Sequence, residues 1–343
     1  MNSPQRPTLR LSSPAELIAA VPHLLGFTPQ ASLVLVAVGP QEGRVLFTFR
    51  YDLPDPPDPT EAATIVEHAI GVLSRQQVTV AVVIGYGPGP LVTPIADAVC
   101  QAAPGAGVAL HDVLRVHEGR FWSYICRDPS CCPAEGVPVG ADDPVARALA
   151  AVGPPVLPDR AALAATLAPV TGPDAEAMAR STRRALRDAV RLAETEGPRA
   201  LDRAGLSAVQ AAVAACRNGR PVSRSRNAWL SVLLTRLPVR DDAWARMDPA
   251  HRDAHSRLWT GLVRRAQPGY VAAPASLLAF TAWQSGNGAL ANIAVDRALA
   301  DTPGYSMAGL IRQAVEAGLP PAAARLPMTP EEVAASYADR LGD

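Results

Sequence analysis

Near residue 159 the hydrophobic period of this chain switches from strand-and-helix alternation to helix alone, and few single architectures accommodate both halves. Before the switch, Ser32–Val38 is a β-branched run, and the 39–43 turn leads into residues 44–50, where Val45, Phe47 and Phe49 alternate with Arg44, Leu46, Thr48 and Arg50. That pattern predicts a hairpin. Residues 78–84 and 108–116 read as further strands, with helices expected over 14–22 (capped by Ser12 or Ser13), 60–74 and 91–102. After the switch only helical spacing recurs, over 161–167, 173–194, 206–216, 228–237, 249–266, 274–284, 289–300 and 307–317. The expected fold is an α/β N-terminal domain, a mixed sheet with a hairpin and crossover helices, plus an all-α C-terminal helical domain. The expected boundaries are 1–152, ending in a cysteine-rich turn, and 159–343, basic in its first part, with the proline-rich stretch 153–158 between them.

Charge narrows the chemistry. The chain balances 32 basic against 32 acidic residues, yet every basic residue is arginine. Without lysine there is no P-loop or kinase-strand lysine and no Schiff-base chemistry, because arginine stays protonated. The neutral total also hides a segregation: residues 1–150 hold 9 Arg and 14 acids, 151–270 hold 19 and 11, and 271–343 hold 4 and 7. The middle segment is therefore the candidate for an acidic partner or nucleic acid. Residues 1–10 lack the apolar core of a signal peptide, and no apolar run approaches the roughly 20 residues of a membrane span. Five cysteines make no disulfide framework, so the expected compartment is the reducing cytoplasm.

Several local motifs resemble one family. Ser13-Pro14-Ala15-Glu16-Leu17, Pro22-His23-Leu24-Leu25-Gly26-Phe27, Tyr51-Asp52-Leu53-Pro54, and Trp122 to Cys126 followed by Cys131-Cys132-Pro133 are similar to hallmarks of an actinobacterial family called domain of unknown function 4192. Residues 285–291 and 303–308 resemble its tail. The resemblance implies a cytosolic α/β plus helical architecture and names no reaction, substrate or cofactor.

The residues themselves offer three places for chemistry. Cys126, Cys131 and Cys132 fall within seven residues of a proline-rich turn, with His117 as a candidate fourth ligand and Asp128 or Glu135 as candidate ligand or base. A turn of this kind can converge thiolates on zinc, can form a reversible disulfide, or can be purely structural, and the spacing leaves all three open. Arg183 and Arg187, on a helix with Arg180, Arg184 and Arg191, and the loop arginines Arg217, Arg220, Arg224 and Arg226 are anion or nucleic-acid candidates. Glu176, Asp188 and Glu194 are spaced to neutralise part of the helical set. Trp283, Gly286 and Tyr305 approximate one tetratricopeptide-like hairpin and are candidates for a partner groove.

Other motifs carry less. His251 and His255 have the i, i+4 spacing of zinc ligands without a glutamate or third ligand. Residues 85–90 follow a strand, but Pro88 and Pro90 have no N–H for a phosphate, so a tight connection is expected. Ser306 is expected to cap a helix rather than to act as a nucleophile. The overall expectation is a binding or regulatory module without cofactor, working through its helical domain. The alternative is a metal- or thiol-dependent enzyme or redox-responsive protein, with zinc, centred on the cysteine turn.

Overall fold

The computed structural model describes residues 13–39, 45–140, 143–153, 155–320, 323 and 328–339, so the expected turn at 39–43 and the readings of Ser12 and of residues 1–10 lie largely or wholly outside the described residues. Two compact units are present, residues 1–163 with 317–320, and residues 164–316 with 321–343.

In the first unit the order is α1 (Pro14–Leu25), β1 (Ser32–Val38), β2 (Val45–Asp52), α2 (Pro59–Arg75), β3 (Val80–Tyr86), α3 (Gly89–Ala102), β4 (Ala109–His117), β5 (Arg120–Ser123), β6 (Val137–Pro138) and α4 (Pro144–Val152), and the chain passes into the second unit within α5 (Arg160–Ala165). The six strands form one mixed sheet ordered β2-β1-β3-β4-β5-β6. Only β3 and β4 are parallel, as their α3 crossover requires. The antiparallel β1–β2 ladder is the expected hairpin, with Leu35 opposite Phe49 and Ala37 opposite Phe47. Alternation sorts the side chains: Leu33, Leu35, Ala37, Ala81, Val83 and Val113 pack with Ile65, Ala69 and Leu73 of α2 and Val92, Ile95 and Val99 of α3. Each valine, leucine or isoleucine side chain of this set contributes about 1.5–3 kcal/mol when fully withdrawn from water. Val34, Val36, Ile84 and Leu114, which alternate with that set, are equally buried.

Several boundaries differ from the sequence reading for local reasons. Helix α1 passes through Pro22 and stops at Gly26, whose N–H still bonds the Pro22 carbonyl while its left-handed φ of 83° turns the chain out of the helix. Strand β3 begins at Val80 rather than 78, because the Val78 N–H is taken by the Leu73 carbonyl at the end of α2. The 85–90 connection is tight, as expected: a Cβ on Gly85 would lie 2.1 Å from Val92 Cγ1, so glycine is what lets α3 press against the strand end. Helix α4, absent from the sequence reading, is opened by Asp143, which accepts from the Val145 and Ala146 N–H groups.

The second unit is helical: α6 (Gly172–Glu196), α7 (Pro198–Arg217), α8 (Arg224–Leu233), α9 (Leu237–Ala245), α10 (Arg252–Arg265), α11 (Ala272–Gln284), α12 (Gly288–Asp301), α13 (Ser306–Glu316) and α14 (Pro330–Asp339). The expected single helix over 228–237 is two, because Ser223 caps α8 early and Pro238 opens a new helix at its first turn. Ser306 is the first residue of α13 rather than a residue before it. Helix α11 is buried on nearly every side, from Ala272 to Trp283, and forms the axis of this core. Its amino end is closed by Asp301 of α12, whose carboxylate accepts from the N–H groups of Gly269 (2.7 Å), Val271 (3.0 Å) and Ala272 (3.2 Å). Among the described residues no helix is long and apolar enough to cross a membrane.

Candidate metal and thiol site

The cysteine turn hangs from the β4–β5 hairpin and returns to it through β6. At its start, Ser123 Oγ donates to Asp112 Oδ1 (2.7 Å) and accepts from the N–H groups of Ile125 (3.3 Å) and Cys126 (3.0 Å), which anchors Cys126 to the sheet. In the middle, Asp128 organises the turn. Its carboxylate accepts from Ser130 N–H (2.9 Å) and Ser130 Oγ (2.7 Å), and its carbonyl accepts from the N–H groups of Cys131 (3.1 Å) and Cys132 (2.7 Å). Both later cysteines are thus curled back towards the first.

The far end of the loop is held by Trp122. Its Nε1 donates to the Ala134 carbonyl (3.0 Å), and the Arg115 guanidinium lies 3.7 Å from the ring centroid. Gly136 fits against the indole only because it has no side chain: its φ is +79°, and a Cβ there would sit 2.5 Å from Trp122 Cε2. Arg120 Nη1 then donates to the Gly136 carbonyl (2.8 Å), and Val137 and Pro138 pair with β5.

This scaffold brings the sulfurs of Cys126, Cys131 and Cys132 within 4.8 Å of one another, and no disulfide joins them. The Cys131 and Cys132 sulfurs are 3.9 Å apart. Zinc–thiolate bonds of about 2.3 Å in a tetrahedron require sulfurs about 3.8 Å apart, so this adjacent pair already has the needed edge. The thiols are also unequal. The Asp128 backbone N–H, then the Cys132 thiol, hold the Cys126 thiol below its ordinary range, whereas Cys132 is pushed up to about 12, first by its hydrogen bond with Cys126 and then by burial. Of the two, Cys126 is therefore the one that gives up its proton more readily.

The other sequence candidates are placed as follows. His117 stands at the turn end of the β4–β5 hairpin, with Nε2 3.7 Å from Glu118 Oε1, and the three thiols converge without it. The Asp128 carboxylate is engaged by Ser130, and Glu135 is exposed and outside the cluster. His251 and His255 do not converge on a shared site. His251 pairs with Asp248 (2.6 Å), while His255 is buried with its Nε2 facing the Asp248 N–H at 3.4 Å.

Of the arginines, Arg217 pairs with Asp248 and Arg224 with Asp174, each at 3.2 Å. The helical neighbours Arg180, Arg184 and Arg191 reach Glu176 or Asp188. Arg183, Arg187, Arg220 and Arg226 are exposed and have no ion pair among the described residues. Trp283 is buried beside Phe280, which in turn meets Trp244, so its ring is part of the core. Gly286 forms the left-handed turn after α11, and the Tyr305 hydroxyl lies 3.5 Å from Arg240 Nη1.

The sequence reading missed Trp122, Arg115 and Gly136 as shapers of the thiol loop. No curated protein and no solved structure matches the chain. The profile of the family described as Domain of unknown function (DUF4192) matches residues 14–322, and the chain belongs to that family.

Proposed function

We propose that the loop carrying Cys126, Cys131 and Cys132 is a thiolate site for one Zn²⁺, and that the protein is a metal-dependent or redox-responsive protein of the reducing cytoplasm. The observation that carries this reading is the convergence of the three sulfurs within 4.8 Å on a loop held at both ends. Soft thiolates favour zinc over hard cations, and a Cys126 thiol held below its ordinary range by the Asp128 N–H lowers the proton cost of binding. Three protein ligands leave the fourth coordination position to water or a substrate, the pattern of a reactive rather than a purely structural zinc.

The test is native mass spectrometry of the full chain, purified without chelator or affinity metal, beside its denatured mass. A mass excess of one zinc, lost in Cys126→Ser and in Cys132→Ser, is the expected result. A bare native mass, together with failure to compete for added Zn²⁺ against a chromophoric chelator, overturns the reading. A denatured mass lighter by two hydrogens assigns the loop to disulfide chemistry instead.

A second reading rests on the unpaired Arg183, Arg187, Arg220 and Arg226 in the basic segment, which fit an acidic protein partner or nucleic acid. Single-stranded oligonucleotide binding that weakens steeply with salt, and further in Arg183→Gln/Arg187→Gln, supports it. Absent or salt-independent binding removes it.

A further inference from the structure

The helical unit contains a second constellation, independent of the thiol loop. A cavity of about 270 Å³ lies between the end of α7, the 218–223 loop, the start of α8 and one side of α10. Arg220, Arg257 and Arg265 all line it, and no carboxylate does. None of the three has an ion pair among the described residues, although arginines 217, 224, 236, 240 and 246 of the same unit each have one. Three unneutralised guanidiniums around one cavity repel one another, and an anion between them removes that cost.

The walls are built rather than incidental. Helix α7 ends in a left-handed Gly219 with φ +68°, and the Arg220 N–H returns to the Ala215 carbonyl at 2.8 Å. At the other end of the loop, Asn227 is buried and its Nδ2 donates to the Val222 carbonyl at 3.1 Å. The loop is therefore pinned on both sides. On α10, residues 257, 261 and 265 share one face by their spacing of four, and the middle one is glycine. Gly261 has no positive φ to justify it, and a mid-helix glycine costs about 1 kcal/mol relative to alanine. A Cβ there would lie 3.6 Å from Arg265 Nη1, so the glycine keeps the cavity wall beside that guanidinium free of side chain. Arg257 is steadied by the Cys216 carbonyl (3.4 Å) and Arg265 by the Gly261 carbonyl (3.1 Å), which leaves the remaining N–H groups of each fork for a ligand.

We propose that this cavity binds a small organic phosphate, with its phosphoryl oxygens on Arg220, Arg257 and Arg265 and its carbon body against Pro221, Val222 and Leu258. The volume sits just below the about 300–1,000 Å³ of pockets for drug-sized ligands, which favours a monoester over a polymer.

Titration calorimetry of the full chain with phenyl phosphate and with inorganic phosphate tests this. Phenyl phosphate is expected to bind at least about tenfold tighter than inorganic phosphate, because only it reaches the apolar wall. Arg257→Gln and Arg265→Gln are each expected to weaken it at least about tenfold, the range of a lost charge-assisted hydrogen bond. Gly261→Leu, which puts a side chain on that wall, is expected to abolish binding. Should Gly261→Leu not fold, the two exposed arginine variants carry the test, with far-UV circular dichroism confirming their fold. Affinity unchanged in both arginine variants, no heat with phenyl phosphate at millimolar concentration, or binding confined to an oligonucleotide would each overturn the proposal. None of these outcomes bears on zinc at the cysteine loop.

Discussion

Replacing Gly136 by alanine tests whether the Trp122 clasp shapes the thiol loop. The new Cβ would meet the indole at 2.5–2.9 Å, and the residue would have to hold a φ of +79°. A left-handed conformation costs an L-residue about 1–2 kcal/mol. Moving the ring aside also breaks the bond from Trp122 Nε1 to the Ala134 carbonyl, worth about 0.5–1.5 kcal/mol, and the stack on Arg115, worth about 0.5–1 kcal/mol at a half-exposed site. The loop should therefore lose about 2–4 kcal/mol of closing free energy. Amide hydrogen exchange reads this directly at the Cys131, Cys132 and Val139 N–H groups, whose acceptors lie within the loop or across its base. Their exchange is expected to accelerate by about 30- to 900-fold, while β3 amides stay unchanged. Trp122→Phe, which keeps the ring body and removes only the N–H, should give about a third of that free-energy effect. A change below about threefold at all three amides in Gly136→Ala would refute the clasp.

The remaining expectations concern thiols, protons and caps. With iodoacetamide at pH 8 in metal-free buffer, Cys126 should be alkylated first and Cys132, pushed up to about 12, at least about 10²-fold more slowly than an ordinary thiol; equal labelling of the two by peptide mass spectrometry would contradict the inequality of the thiols. His255 is pushed down to about 4, chiefly by burial, so the unfolded chain binds its proton more readily. Stability from this group is full above about pH 6.5 and is lost as pH falls towards 4, amounting to about 3 kcal/mol. Urea titrations of the helical unit at pH 7 and 4.5 check this, and the pH difference should shrink in His255→Gln. Asp301→Ala strips three backbone N–H groups of their acceptor and should cost about 2–3 kcal/mol in the same titration, with Asp301→Asn recovering part.

Much of the architecture was legible because it depends on period alone. Strand β2 announces itself by the alternation of Val45, Phe47 and Phe49, and the long helices α6 and α10 by the spacing of their apolar residues. What period does not encode is partner choice: β3 pairs antiparallel with β1, which places β1 inside the sheet between β2 and β3. Elements opened by a single capping aspartate, such as α4, were missed because the helix after the cap is short and alanine-rich. At the site, three cysteines in seven residues are visible to any reader, and the structure brings them together. The Trp122–Gly136 clasp spans 14 residues and turns on one positive φ, a quantity with no signature in composition or spacing. Charge pairing was half legible. Contacts four residues apart could be anticipated, whereas Arg217 with Asp248 and Arg224 with Asp174 join residues 31 and 50 apart.

Residues 317–320 belong to the N-terminal unit, where a Cβ on Gly318 would meet Val72 at 2.2 Å. The chain therefore visits that unit twice, with the whole of 164–316 made between the visits. On a ribosome adding about 5–20 residues per second, the last piece of the N-terminal unit arrives about 8–30 s after residue 163. During that interval the Val72 surface of α2 waits for Gly318, so the N-terminal unit cannot be completed until nearly all of the helical unit has been made.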